Sequence, residues 1–319
     1  MARKQKNAPL WEDQMEFKHR LIVSAAVALS FCGSIHAACA SSKSLPGISA
    51  GAITSAPLPD GIYNLIDVSW GQRGPYQGSA ETDSLIAVPL HFVGFLPFRV
   101  LEGHPFFESE SVWAQVTVGR GFGTTEANLD GFAAQKFGAG LSWDLGGGFF
   151  GAIKTGAWIP VNTSVSLSDY WVSQTNVAVG YVANGWALNA DLAYGTGKTG
   201  AEVNVTPVNA ALGQPATAGN AYGVLNLTAL RHIEKWEVGL IGFGSQDVSS
   251  PYPGYLKQSQ FALGGLVGYD FGSIKADFRV SRDIAQTNMG GFETRYWARL
   301  IIPVWKFDQP AVTAVAAKY

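Results

Sequence analysis

The sequence predicts an all-β protein, a transmembrane antiparallel β-barrel of about 12 strands, and three observations support this prediction. About a dozen short segments between residues 62 and 305 alternate apolar and polar side chains, which is the pattern of strands with one lipid-facing and one polar face. Short turns and longer polar loops alternate between these segments, as they do on the two sides of a bacterial outer-membrane barrel. An export signal precedes the first segment, and no later segment reaches the roughly 18 apolar residues of a membrane-spanning helix.

Residues 1–40 have the pattern of a secretory signal peptide. An apolar stretch at residues 21–31 follows Lys18 and Arg20 and precedes the small-residue site at 38–40. A signal peptide that begins at Met15 would also contain the basic, apolar and small-residue regions. A misassigned start codon, with translation beginning at Met15, is therefore an open alternative. We therefore expect a cleaved signal peptide and export through the periplasm to the Gram-negative outer membrane.

Both cysteines of the chain, Cys32 and Cys39, lie within this predicted signal. The mature chain is thus expected to have no disulfide, thiolate metal site or cysteine nucleophile. Acylation of either cysteine in a lipoprotein is an alternative, but Phe31 and His36 stand where a lipobox requires a small residue and a leucine.

The rest of the chain reads as one domain with two short flanking segments. Residues 41–59, rich in Ser, Ala, Gly and Pro, are too short for a folded plug domain and predict a disordered lead-in. Residues 60–307 form the predicted barrel, and residues 308–319 form a C-terminal extension.

The first predicted strand, residues 62–70, directs Val68 and Trp70 outward and Asp67 and Ser69 inward. In the next segment, residues 84–95, the alternation does not show which side chains face outward. In the third, Val112 and Ala114 are predicted to face outward, and a loop at 121–137 is predicted to follow. The remaining predicted strands are 138–143, 149–159, 176–182, 186–194, 224–230, 236–243, 261–269, 273–281 and 293–304.

The same alternation predicts which charged side chains line the lumen. They are Asp67, Lys154, Asp191, Glu237, Lys275, Asp277, Arg279, Glu293, Arg295 and Arg299. Five of these residues cluster on the last two strands as four cations and one anion, namely Lys275, Asp277, Arg279, Arg295 and Arg299. They would form either a selectivity element for an anionic group such as a carboxylate or a salt-bridged ladder that fills the lumen. The pattern leaves both interpretations open.

Large aromatic side chains are also predicted to face inward, namely Trp113, Phe150, Trp158, Trp297 and Phe243. They would form an apolar track for an aromatic solute or simply pack the lumen. A slip of one residue in strand parity would turn them outward.

The sequence offers no catalytic constellation, so we expect no enzyme, no cofactor and no metal site. Outer-membrane phospholipases place a serine two residues after a histidine. In the mature chain, the residues two positions after His91, His104 and His232 are Val93, Phe106 and Glu234. The net charge of −2 argues against a nucleic-acid partner.

Several short motifs resemble the phenol meta-cleavage-pathway (MetA-type) transporter family of outer-membrane barrels, often encoded beside aromatic-degradation pathways. They are LPDGIY (58–63), GLIGFGSQD (239–247), YDFG (269–272), SRD (281–283) and LIIPVW (300–305). The resemblance implies passage of small hydrophobic or aromatic compounds across the outer membrane. The family usually ends soon after the Pro-x-Trp of the last strand, so residues 308–319 depart from its pattern.

We therefore expect a barrel that conducts small hydrophobic or aromatic solutes passively, with membrane lipid around it. A barrel of this width leaves little open water once side chains fill it, which favours selective passage. A general polar-solute porin and a structural or surface-interaction barrel without transport are the alternatives.

Overall fold

The computed structural model describes residues 42–75, 81–120, 127–161, 163, 165, 170–197, 219–250 and 255–307. The predicted signal peptide and C-terminal extension lie outside these residues. The described chain forms 12 strands: β1 (Gly61–Arg73), β2 (Glu81–Phe95), β3 (His104–Arg120), β4 (Ala127–Gly146), β5 (Phe149–Ile159), β6 (Val172–Ala183), β7 (Trp186–Gly195), β8 (Tyr222–Ile233), β9 (Trp236–Asp247), β10 (Ser259–Asp270), β11 (Lys275–Thr287) and β12 (Glu293–Lys306).

The strands form one closed antiparallel barrel, which confirms the predicted fold class. Each strand pairs with its neighbours in the chain, and β12 returns to pair with β1 from Gly61 opposite Lys306 to Arg73 opposite Glu293. Closure leaves no edge strand with unpaired backbone groups, and this is the condition for a sheet to cross a bilayer. Among the described residues, no helix is long and apolar enough to span a membrane.

The two ends of the barrel differ in their connections. Short turns such as those between β4 and β5, β6 and β7, and β8 and β9 lie at one end, together with Gly61 and Lys306. We call this the turn end and the opposite one the loop end. Three of these short turns lie near residues 145–148, 183–185 and 232–235, and they agree with the predicted alternation of short turns and longer loops.

The outer face is apolar and the inner face is polar, as the alternation predicts. In β1, Val68 and Trp70 are each 41% exposed, whereas Asp67 and Ser69 are buried. Aromatic pairs lie on the outside, including Trp70 stacked on Tyr296 with ring centroids 5.6 Å apart. An exterior of this kind suits contact with lipid.

The predicted parity of β3 is wrong. Val112 and Ala114 are buried, and they share the inner face with Glu108 and Glu110. Trp113 lies on the outer face, where its register partner on β4 is the exposed Phe132, so its predicted place in the lumen is wrong too. The physical reason is that two carboxylates on one strand face must be kept away from lipid.

Two strand boundaries also differ from the prediction. β4 begins at Ala127, so residues 127–137, predicted as loop, are strand. In β2 the register shifts around Pro89 against both neighbouring strands. Asn64 bridges this bulge, because its side chain donates to the Pro89 carbonyl at 3.1 Å and accepts from the His91 amide at 3.0 Å. The bulge inverts the parity of β2, so even-numbered residues face inward before it and His91, Val93 and Phe95 face inward after it.

Candidate functional site in the barrel lumen

Residues 42–58 occupy the lumen, and we call them the plug segment. Gly47 N donates to Asn226 Oδ1 at 2.9 Å, Gly51 N to Thr228 Oγ1 at 2.9 Å and Ser55 N to Asn189 Oδ1 at 3.1 Å. Ile48 and Ala50 are buried among barrel side chains. The expectation of a disordered lead-in is therefore wrong for this segment, because the inner wall supplies the hydrogen-bond partners that the segment itself lacks.

Two arginines of the last strands bind the carbonyls of the plug segment. Arg279 Nη1 donates to the carbonyl oxygens of Gly47 at 3.2 Å and Ala50 at 2.5 Å. Arg299 Nη2 donates to the carbonyl oxygen of Ile48. A guanidinium has several donors in a fixed plane, so one arginine can bind the plug segment and a carboxylate together.

The carboxylate that positions both arginines is Asp67. Its Oδ1 accepts from Arg279 Nη2 at 2.7 Å and from Arg299 Nε at 3.0 Å. All three side chains are nearly free of solvent contact. Asp277 adds a second anion 2.9 Å from Arg279 Nε. The cluster thus joins β1, β11, β12 and the plug segment.

The other two predicted cations are also paired. Lys275 Nζ lies 2.5 Å from Glu237 Oε1. Arg295 contacts Glu293 and donates to the hydroxyls of Ser69 at 3.0 Å and Ser84 at 2.7 Å. These contacts favour the salt-bridged ladder over a patch of free positive charge.

Sequence reasoning missed a second arginine cluster toward the loop end. Arg73 lies 3.1 Å from Asp283 and 2.8 Å from Glu293, and it donates to Gln260 Oε1 at 3.0 Å. Asp67, Ser69 and Arg73 share the inner face of β1, so extending the predicted strand by three residues would have placed Arg73 in the lumen.

Three of the predicted inward aromatics, Trp158, Trp297 and Phe243, pack the lumen wall. Trp158 is fully buried and donates to Gln174 Oε1 at 2.9 Å, an oxygen that Tyr222 also reaches at 2.9 Å. Trp297 lies edge-on to Phe243 and under the guanidinium of Arg279, 5.0 Å from its ring centre. Phe150 is half-buried on the face of β5 that carries Lys154. These contacts favour packing over an open aromatic track.

A cavity of 290 Å³ remains between the plug segment and the inner wall. Apolar side chains, including Leu65, Val93, Phe95, Phe106 and Ile301, form much of its lining. Charged groups complete it, with Glu108, Lys154, Asp191, Glu237, Lys275 and Arg299 all contributing. A small concave site with an apolar lining and a few polar groups is the usual form of a ligand pocket.

One group of residues in this wall resembles a metal site. The ligand atoms of His91, Glu108 and Glu110 lie within 4.8 Å of one another. However, Lys136 contacts Glu108 and lies 3.7 Å from Glu110, and Lys154 also contacts Glu108. Two ammonium groups therefore already balance the two carboxylates, and we interpret the group as a buried ion-pair network.

The three described histidines all lie beside carboxylates. His91 Nε2 is 4.0 Å from Glu108, His104 Nε2 is 3.6 Å from Asp60, and His232 Nδ1 is 3.1 Å from Glu237. The absence of enzymatic activity stays a prediction.

Substitution of Gly47 by alanine should loosen the plug segment. Gly47 has a φ of +91°, and a Cβ there would lie 2.8 Å from both Phe243 Cε1 and Trp297 Cζ2. The strained backbone alone costs about 1–2 kcal/mol. Limited proteolysis of the folded protein should therefore cut residues 42–58 several-fold faster in Gly47→Ala. Ser49→Ala, which alters a half-buried residue of the same segment, is the control; equal cleavage of both variants would contradict the packing of Gly47.

A closed wall of 12 strands, an apolar exterior and a plugged polar lumen define a transmembrane β-barrel. The family model described as "putative MetA-pathway of phenol degradation" matches residues 78–300. The chain belongs to this family, which confirms the resemblance read from the short motifs. Among curated proteins, none matches the chain.

Solved structures are similar to the chain at low sequence identity. The COG4313 outer membrane channel from Pseudomonas putida F1 has a TM-score of 0.64 and 10% identity, over 78% of this chain and 97% of that one. A FadL homologue from Pseudomonas aeruginosa has a TM-score of 0.43 and 10% identity, over 81% and 97% of the two chains. The β domain of the Bordetella autotransporter BrkA has a TM-score of 0.43 and 12% identity, over 75% and 99%. At these identities the likeness concerns the fold alone.

Proposed function

We propose that the protein is a channel of the Gram-negative outer membrane that passes small hydrophobic or aromatic compounds passively, after export with a cleaved signal peptide. The observation that carries this proposal is the 290 Å³ cavity inside the lumen, with its largely apolar lining. A lumen that served only to stiffen the barrel would have no need of such a cavity. Family membership and the shared fold of an outer membrane channel are consistent with this function.

The plug segment argues against a general porin. A porin for polar solutes keeps a continuous water-filled path, whereas here residues 42–58 are hydrogen-bonded to the inner wall along the lumen. The plug segment is held in place by hydrogen bonds with the inner wall, so a solute that enters the cavity must displace part of that segment to pass through. The contacts of Arg279 and Arg299 with the plug segment support a retaining role for these cations, in place of anion selection.

Solute entry into liposomes tests this function. The refolded mature protein should admit a small neutral aromatic compound faster than a sugar of similar size, after subtraction of leakage into empty liposomes. A small aromatic acid, measured in the same way, tests whether charge is tolerated. Equal entry of the neutral aromatic and the sugar would indicate a porin, and no entry above background would indicate a barrel without transport.

A further inference from the structure

The charges around the lumen cavity balance. Three acidic residues, Glu108, Asp191 and Glu237, and three basic residues, Lys154, Lys275 and Arg299, contribute to its lining. An anionic occupant would add a charge that nothing in the lining offsets, because the cations are already paired. Burial of an uncompensated charge is costly, so this balance favours a neutral occupant.

Two carboxylate oxygens of the lining have no hydrogen-bond partner within the protein. Asp191 is fully buried, and Asn176 Nδ2 donates to its Oδ1 at 2.8 Å, whereas its Oδ2 has none. Glu237 is also buried; Lys275 and His232 contact its Oε1, but its Oε2 has no partner. A buried acceptor without a donor costs about 1–3 kcal/mol, so an occupant that carries a donor is favoured at these positions.

The lining also has a donor without an acceptor. Arg299 Nη1 has no hydrogen-bond partner, although the rest of its guanidinium is bound to Asp67 and the plug segment. A hydroxyl group both donates and accepts, so it can satisfy either kind of unpaired group. A carboxylate would bring acceptors only, next to carboxylate oxygens that need donors.

We propose that this cavity is a binding site for a small neutral molecule with an apolar body and a hydroxyl group, and that Asp191 Oδ2 is the acceptor that selects the hydroxyl. Phe95 and Phe106, in tilted contact with ring centroids 5.2 Å apart, provide an apolar surface for the body of the molecule. The cavity volume of 290 Å³ exceeds the ~150 Å³ that holds one benzene ring, so it admits a molecule of one ring with a substituent. The inference rests on the proposed function for its physiological role, but binding can be measured without transport.

Equilibrium dialysis of the full mature protein in detergent tests the site with three probes of similar size: benzyl alcohol, ethylbenzene and benzoate. Empty micelles give the background for each probe. Benzyl alcohol should bind about tenfold more tightly than ethylbenzene, because one hydrogen bond to a charged acceptor distinguishes the two. Benzoate should bind more weakly than benzyl alcohol.

Asp191→Asn should weaken binding of benzyl alcohol about tenfold and leave that of ethylbenzene within about twofold. The matched control is Asp283→Asn, a buried carboxylate of the same lumen that lies with Arg73 and outside the cavity lining. It should leave both affinities unchanged. If Asp191→Asn fails to fold, the ranking of the three probes on the unmodified protein still decides whether the cavity prefers a neutral hydroxyl compound.

Equal affinity for benzyl alcohol and ethylbenzene, or tightest binding of benzoate, would overturn the proposed site. Equal affinities in dialysis together with uptake of aromatics into liposomes would overturn the site and leave the channel function standing. A clear preference for the alcohol in dialysis, with no uptake, would support the site and count against transport.

Discussion

Deletion of residues 42–58 is expected to convert a barrel of background conductance into one that shows discrete ion-channel steps in a planar bilayer. The plug segment is hydrogen-bonded to the inner wall at Gly47, Gly51 and Ser55 and crosses the lumen as it does so. Side chains alone fill barrels of about eight strands, and a barrel of 12 strands is wider. Removal of the segment should therefore leave a water-filled path.

A variant in which residues 42–58 are replaced by a Gly/Ser sequence of equal length is the control. It keeps the chain length but loses the buried Ile48 and the apolar contacts of the segment, so it should show brief, incomplete closures between the two extremes. Background conductance after complete deletion would contradict the prediction. It would mean that wall side chains, such as the cluster around Arg73, close the lumen by themselves.

The lumen charges were predictable because strand alternation is a local property. Asp67, Asp277, Arg279 and Arg299 are all buried on the inner face, where the period of two placed them. The pattern gave no parity for β2, where the alternation is interrupted, and the wrong parity for β3, where the predicted strand was too short. The bulge at Pro89 shifts β2 by one residue, and a one-residue shift exchanges the two faces of a strand.

The error at Trp113 had a different cause. The predicted strand began at residue 112 and so omitted Glu108 and Glu110, the two residues whose charge identifies the inner face of β3. Over the full 17 residues of this strand, those carboxylates would have decided the parity. The residues that decide the face of β3 thus lie before residue 112, N-terminal to its alternating segment.

The plug segment could not be predicted from its own residues. Ser, Ala, Gly and Pro bury little apolar surface, so a short segment of this composition has no reason to be ordered alone. Its order comes from partners far along the chain, for example Asn226, which is 179 residues from Gly47. Those partners are polar residues of the inner wall. Their local sequence pattern is the same whether a side chain binds the plug segment or faces water. The cavity depends on the same long-range contacts.

Asp67→Asn is expected to lower the free energy of unfolding by about 3–5 kcal/mol. Asp67 is 1% exposed and accepts from both Arg279 and Arg299. The amide keeps the size of the side chain but removes its charge. Two buried guanidinium groups, those of Arg279 and Arg299, then remain with one nearby carboxylate, that of Asp277, which contacts Arg279. Removal of one member of a buried ion cluster costs more than the cluster adds to stability, because the remaining charge is uncompensated. Urea unfolding of the refolded barrel, followed by tryptophan fluorescence, measures the change.

Asp270→Asn is the matched control, because Asp270 is exposed at the turn after β10, and its loss should cost less than about 1 kcal/mol. The double variant Asp67→Asn/Arg299→Gln removes one of the stranded cations and should recover part of the lost stability, since residues in one ion cluster are not additive. Equal effects of Asp67→Asn and Asp270→Asn would contradict the role of Asp67.

Proteolysis of the plug segment gives a second measurement. Both arginines that bind its carbonyls depend on Asp67 for their position, so residues 42–58 should become more sensitive to protease in Asp67→Asn and not in Asp270→Asn.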